Sequence, residues 1–199
     1  MMKLLHLDSS ILGAHSTSRL LTAEVVEAIK LAEPSVSVAY RDLAAPDALP
    51  LDSAVLGARS TPADQRTPEQ QALAAKADAV MAEFLAADTI VLGAPMYNFT
   101  VPTQLKAWID LVAVAGVTFR YGANGVEGLA KGKRVVIVAT AGGVHAGQPS
   151  GQAHVGYLKQ VLGFLGITDF RVITAEGLAL GPDARDAALV SARKDIATV

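Results

Sequence analysis

Two stretches of this chain, Thr89 to Ala94 (TIVLGA) and Arg134 to Thr140 (RVVIVAT), are nearly continuous runs of β-branched and small apolar residues without polar alternation. A strand with one face in water alternates apolar and polar. One that stays apolar on successive residues is covered on both faces, as the central strands of a parallel sheet are. Each run is followed by a loop of unusual composition, Pro95 to Pro102 and Ala141 to Gly151, and then by apolar residues at helical spacing. Trp108, Leu111 and Val112 mark the first of these helices, and Tyr157, Val161, Leu162 and Leu165 the second.

The rest of the chain repeats this unit. Leu4 to Leu7 is a short apolar run that ends in Asp8-Ser9-Ser10, and Leu20, Leu21, Val25, Val26 and Ile29 recur behind it at helical spacing. Ser35 to Arg41 alternates as a strand, with Pro34 closing the preceding helix. Asp42 to Thr67 has no clear period, and Pro46, Pro50 and Pro62 argue against a helix, so a long surface excursion is expected. Thr67-Pro68-Glu69-Gln70 combines an N-cap, a proline at the first helical position and a glutamine three residues after the cap, which starts a helix running to about Ala87. A last strand, Phe170 to Ala175, and a last helix from Asp183 to about Ala197 complete five β-α units. The expectation is an α/β, three-layer, doubly wound fold of flavodoxin-like type, with a five-stranded parallel sheet in the order 2-1-3-4-5.

A length of 199 residues suits a single domain, 1–199, and a hydrophobic content of 51% can fill its core. Seventeen basic residues against 19 acidic leave a net charge of −2, which offers no footprint for nucleic acid or an anionic membrane and points to a small-molecule partner. No stretch has the apolar length of a signal peptide or membrane span, so a cytoplasmic location is expected. The chain has no cysteine, which excludes disulfides, thiolate nucleophiles, iron–sulfur clusters and cysteine–zinc sites. Any redox chemistry must come from a bound cofactor.

In an open parallel sheet ligands bind beyond the carboxyl ends of the strands where the strand order reverses. The loops after the first, third and fourth strands are therefore the candidates. The first, Ser9 to Ser18, carries the hydroxyls of Ser10, Ser16, Thr17 and Ser18 and opens directly into a helix, so hydroxyls, backbone N–H groups and the helix dipole can together hold a phosphate dianion. Capping and turn roles are the alternative for such residues. Neither the Walker glycine spacing nor the G-x-G-x-x-G of dinucleotide folds is present. The second loop places Met96, Tyr97, Asn98 and Phe99 between prolines, groups that suit a flat heterocycle with polar edges, or a plug over the sheet. In the third, Thr140-Ala141-Gly142-Gly143, two glycines let backbone amides approach a ligand closely. His15 belongs to the first loop, His145 to the third, and His6 inside the first strand reads as structural. His145 and His154 lack a third ligand at a metal-site spacing, so no metal is expected.

Five motifs together resemble the FMN-dependent NADH-azoreductases of the AcpD type, relatives of the NAD(P)H:quinone oxidoreductases. They are Ser9-Ser10-Ile11-Leu12 with Ser16-x-Ser18, Ala94 to Phe99, Gln104-Leu105-Lys106, Ala115 to Tyr121 and Ala175-Glu176-Gly177. The resemblance implies FMN held by Ser10, Ser16, Thr17 and Ser18 at its phosphate, by Met96, Tyr97, Asn98 and Phe99 along the isoalloxazine, and by Thr140, Ala141, Gly142 and Gly143 near the pyrimidine end. It further implies a homodimer with the flavin at the subunit interface. The reaction it implies is a two-electron ping-pong transfer from NADH, or NADPH, to quinones and azo compounds, with no general acid or base named. Phe119, Tyr121 and His145 are the candidate acceptor contacts, the aromatic pair reaching in from the partner subunit, with packing inside one subunit as the alternative. Family members often carry Ser-Arg-Gly-Gly where this chain has Thr140-Ala141-Gly142-Gly143, a departure that bears on substrate or nicotinamide preference. The rival function is a flavodoxin-like electron carrier or flavin sensor without an organic substrate. Carriers of that kind tend to be strongly acidic.

Overall fold

The computed structural model describes residues 1–123 and 125–199. Five parallel strands form the main sheet: β1 (Lys3–Asp8), β2 (Ser37–Asp42), β3 (Thr89–Pro95), β6 (Arg134–Thr140) and β7 (Asp169–Ala175), in the spatial order β2-β1-β3-β6-β7. The two intervening strands, β4 (Phe119–Gly122) and β5 (Gly125–Gly128), pair antiparallel as a separate hairpin. Numbered within the main sheet alone, the order is 2-1-3-4-5, as expected for a flavodoxin-like doubly wound fold. The register sets Pro95 level with Thr140 and Thr140 level with Ala175, so the carboxyl ends of the strands form one rim.

The two covered faces follow from the strand sequences. Leu5, Leu7, Ile90, Leu92, Val135 and Ile137 belong to one core, with Phe84 of α3 (Pro68–Ala86) and Leu105, Trp108 and Ile109 of α4 (Thr103–Val112). Their neighbours Leu4, Val91, Val136 and Val138 belong to the other, with Leu21 and Val25 of α1 (Thr17–Ala32) and Ala192 and Ile196 near the chain end. Alternate residues of one apolar run thus serve opposite layers. A fully buried side chain of this size contributes about 1.5–3 kcal/mol, so such a strand can hardly occupy an exposed edge.

The Thr67 cap is present with its reciprocal Gln70 bonds, and α3 begins at Pro68. The excursion from Asp42 to Thr67 differs from expectation in one respect: it contains an eight-residue helix, α2 (Ser53–Ser60), capped by Asp52 and packed against α3. Pro50 and Pro62 bound that helix rather than prevent it, because each stands outside its hydrogen-bonded core. Beyond β6 come a single turn, α5 (Pro149–Gly151), a π-helical turn over Gln152–Gly156 and α6 (Tyr157–Phe164); α7 (Pro182–Ile196) follows β7. Among the described residues no helix is long and apolar enough to cross a membrane.

Candidate active site

β1 delivers the first loop to the rim. Ser9 Oγ donates to the Gly93 carbonyl at 2.6 Å, which pins the loop start to β3. A Cβ at Gly93 would lie 3.0 Å from Asp8 Oδ1 and 3.2 Å from Thr22 Cγ2, so both side chains would have to give to admit one. Ser16 caps α1, its Oγ accepting the Arg19 N–H at 3.3 Å and lying 3.0 Å from Ser18 Oγ. The capping reading thus holds for Ser16. The cap serves Arg19, while the N–H groups of Thr17 and Ser18, at the first two helical positions, have no helical carbonyl behind them.

Behind the loop lies a network of charge. The Arg19 guanidinium pairs with both Asp42 oxygens at 2.6 and 2.8 Å and donates twice to the Ser10 carbonyl, at 2.8 and 3.2 Å. Buried Asp8 accepts from Thr22 Oγ1 at 2.8 Å and from the Tyr40 hydroxyl at 3.2 Å, with His6 Nε2 at 3.5 Å. Burial pushes the Asp8 carboxyl up, but His6, Thr22 and Arg19 more than offset this and hold it below its ordinary value. The Tyr40 phenol is pushed up to about 12, by burial first and then by the negative charges of Asp8 and Asp42. His6 is structural, as read from its place in the strand: it is buried, with its ring edge-on to Tyr40 at 4.9 Å.

The second loop is a two-residue turn. Tyr97 and Thr100 exchange backbone bonds at 2.9 and 3.2 Å, and Asn98 and Phe99 between them have φ of 48° and 72°. Positive φ at both central residues is the type I′ pattern, tolerated by asparagine and strained for phenylalanine. The turn is anchored where it matters: the Tyr97 hydroxyl lies 3.2 Å from Ser10 Oγ and accepts the Ile11 N–H at 3.2 Å, which joins the first loop to the second.

The third loop is zipped to the segment after β7. Leu178, Ala179 and Gly177 donate to the carbonyls of Ala141, Gly142 and Gly143 at 3.2, 3.0 and 2.8 Å. No described residue accepts from the amides of Gly142 and Gly143, so these N–H groups remain available.

A cavity of about 220 Å³ opens among the three loops. Of the residues singled out in the sequence, Ser10, Ser16, Thr17, Met96, Tyr97, Thr140, Ala141 and Gly142 line it. Ser18, Asn98, Phe99 and Gly143 flank it: Ser18 is buried behind Ser16, and Asn98 and Phe99 stand exposed on their turn. His145 lines an adjoining cavity of about 280 Å³ that shares Thr140 and Ala141. Its ring is edge-on to Phe99 at 6.0 Å, and its Nδ1 lies 2.8 Å from Ser150 Oγ. His154, in the same cavity, is buried, and that burial pushes its imidazole toward the neutral form. Phe119 and Tyr121 lie on the β4–β5 hairpin and line neither cavity within one chain. Phe119 packs on Phe164 at 4.6 Å, whereas Tyr121 is 74% exposed.

Sequence reasoning missed the contribution of the segment after β7. Leu178, Ala179 and Arg185 line the cavity among the three loops. The signal was present in Gly177 and Gly181, both at positive φ, which fold that segment back over the third loop before Pro182 starts α7.

The residues around this cavity suit a phosphorylated heterocycle: hydroxyls and free helix amides together with a thioether, a phenol and glycine amides. Comparison with known proteins agrees. A model of the family described as having a flavodoxin-like fold matches residues 2–199. The chain is 58% identical over 196 residues to FMN-dependent NADH:quinone oxidoreductase 2 of Pseudomonas aeruginosa, covering 98% of this chain and 97% of that protein. It is 57% identical to FMN-dependent NADH:quinone oxidoreductase 1 of Pseudomonas putida, covering 99% and 97%. Among solved structures it superposes on an FMN-dependent NADH-azoreductase from Bacillus anthracis str. Ames Ancestor, solved in complex with FMN, with a TM-score of 0.88 at 25% identity over 100% and 97% of the chains. The chain belongs to the flavodoxin-like family, in its group of FMN-dependent NADH:quinone oxidoreductases and azoreductases.

Proposed function

We propose that this chain is an FMN-dependent oxidoreductase, one domain over 1–199, that takes electrons from NADH and delivers them in pairs to quinones and azo compounds. The observation that carries the reading is the cavity at the rim of β1, β3 and β6, lined by hydroxyls, a thioether, a phenol and free amides. Ser10, Ser16, Thr17 and Ser18, with the first amides of α1, hold the phosphate. Met96, Tyr97, Asn98 and Phe99 would hold the isoalloxazine, and Thr140, Ala141, Gly142 and Gly143 would meet its pyrimidine end. FMN, when bound, supplies the redox chemistry, accepting two electrons from NADH and releasing them to the acceptor in a second half-reaction at the same place.

The protein's own part is orientation and exclusion. Glycine amides whose carbonyls are tied down on the opposite side are donors held at a fixed angle, which costs little reorganisation when charge develops on the ring. Tyr97 fixes the distance between the phosphate loop and the ring loop through Ser10 and Ile11. His145 and Phe99 stand together at the open side, where an acceptor enters. Tyr121, exposed on its hairpin, reaches the site of a partner subunit in a homodimer, with Phe119 seated behind it on Phe164. Cytoplasmic residence goes with this reading, since NADH is an intracellular donor. An electron carrier without an organic substrate fits less well, because a net charge of −2 gives weak steering toward a basic protein partner.

The test is steady-state NADH oxidation with a quinone and with an azo dye. Parallel double-reciprocal lines with both acceptors support the reading. A flavin-loaded protein that oxidises NADH with neither acceptor rejects it.

A further inference from the structure

We propose that Arg185 is the counter-ion of the phosphate end of the cavity and makes the site discriminate phosphorylated from unphosphorylated flavin. The proposal rests on the FMN reading above and adds to it a residue from the last helix.

The chain has nine arginines. Eight have a side-chain partner: Arg19, Arg41, Arg120, Arg134 and Arg193 pair with carboxylates, and Arg59, Arg66 and Arg171 donate to carbonyls. Arg185 alone has neither among the described residues, although it is only partly exposed. Its position is also unfavourable for an unpaired cation. It stands fourth in α7, close to the positive end of the helix, where the dipole favours anions. A guanidinium placed there and left without a carboxylate calls for an anion from outside the chain.

The cavity indicates which anion. Arg185 lines it together with His15, Ser16 and Thr17 around the start of α1, and no aspartate or glutamate shares the lining. The helix starts of α1 and α7 therefore contribute to one cavity, one bringing hydroxyls and free amides and the other a charge. Hydroxyls and amides alone bind an oxyanion with little regard to ionic strength, whereas a guanidinium adds a Coulombic part that salt screens. A phosphomonoester dianion satisfies both sets of donors.

The test uses the full chain stripped of flavin and titrated with FMN and with riboflavin, which has the same ring and no phosphate, at low and high salt. Arg185→Gln is expected to weaken FMN about tenfold or more, to leave riboflavin unchanged and to flatten the salt dependence of FMN binding. Arg185→Lys should recover much of the loss. The proposal is overturned if R185Q binds FMN within about twofold of wild type, or if it loses FMN and riboflavin in equal proportion, since a general disturbance of the site would do that. A wild-type protein that binds neither flavin defeats the FMN reading itself, and this proposal with it. Unchanged FMN binding by R185Q beside a flavin-binding wild type defeats only the role of Arg185.

Discussion

Replacing Arg19 by alanine should loosen the first loop although Arg19 is not part of the cavity lining. Native Arg19 makes two bonds to Asp42, two to the Ser10 carbonyl and one to the Tyr40 hydroxyl. Its side chain is 17% exposed and that of Asp42 30%, so the pair lies between two regimes. A solvated pair contributes about 0.2–1 kcal/mol, and breaking a fully buried one by removing a partner costs about 3–5 kcal/mol. About 2 kcal/mol is a fair value for the pair, because Asp42 keeps the Ala44 N–H at 2.9 Å. The Ser10 carbonyl loses both of its charged donors, which adds about 1 kcal/mol. The total of about 3 kcal/mol is a large part of the roughly 5–15 kcal/mol that holds a domain together. Urea unfolding would show it as a lower midpoint at constant slope. FMN affinity should fall in parallel, since Ser10 and the Tyr97 hydroxyl move with the loop. Asp42→Asn should cost less once Arg19 is gone than it does alone, the mark of two residues acting as a unit. A loss below about 1 kcal/mol with FMN binding intact would refute the view that this pair braces the loop.

Ser16→Ala combined with Ser18→Ala should weaken FMN binding by about tenfold or more, since bonds to a charged phosphate are among the stronger ones, while the lost cap costs about 1 kcal/mol of stability; an unchanged dissociation constant would leave capping as the whole role of these hydroxyls. Phe99→Gly should raise stability by about 1 kcal/mol by relieving a left-handed phenylalanine that is 63% exposed, while slowing turnover; differential scanning calorimetry showing a lower melting temperature would mean that its contact with His145 outweighs the strain. Tyr40, raised to about 12 in the folded chain from an ordinary 10.0, contributes stability that is fully present below 10 and is lost as pH rises through 12. Wild type should therefore lose stability relative to Tyr40→Phe across that alkaline window, and parallel pH profiles for the two proteins would contradict the assignment.

The sheet was legible because its strands are specified by burial alone. Thr89 to Ala94 and Arg134 to Thr140 feed two cores with alternate residues. The Thr67 cap was legible because capping is local chemistry. The β4–β5 hairpin was not, since its four-residue strands are mostly exposed, and what places it is the close approach of Gly128 to Gly166, a contact between distant parts of the chain. The helix within the excursion was hidden by prolines that turned out to stand beyond its ends. At the site, the loops after β1, β3 and β6 announced themselves by composition. Arg185 did not, because a single arginine in the first turns of a surface helix has no signature until the fold shows that it lacks a partner. The bond from Tyr97 to Ser10 likewise joins residues 87 apart in sequence.

The most direct test of the central claim is the visible spectrum of the purified protein followed through an anaerobic titration. A yellow protein with an oxidised-flavin spectrum, bleached by one equivalent of NADH and recoloured by one equivalent of quinone, is the expected result. A colourless protein that takes up no FMN, or a flavin-loaded one that NADH does not bleach, would contradict it.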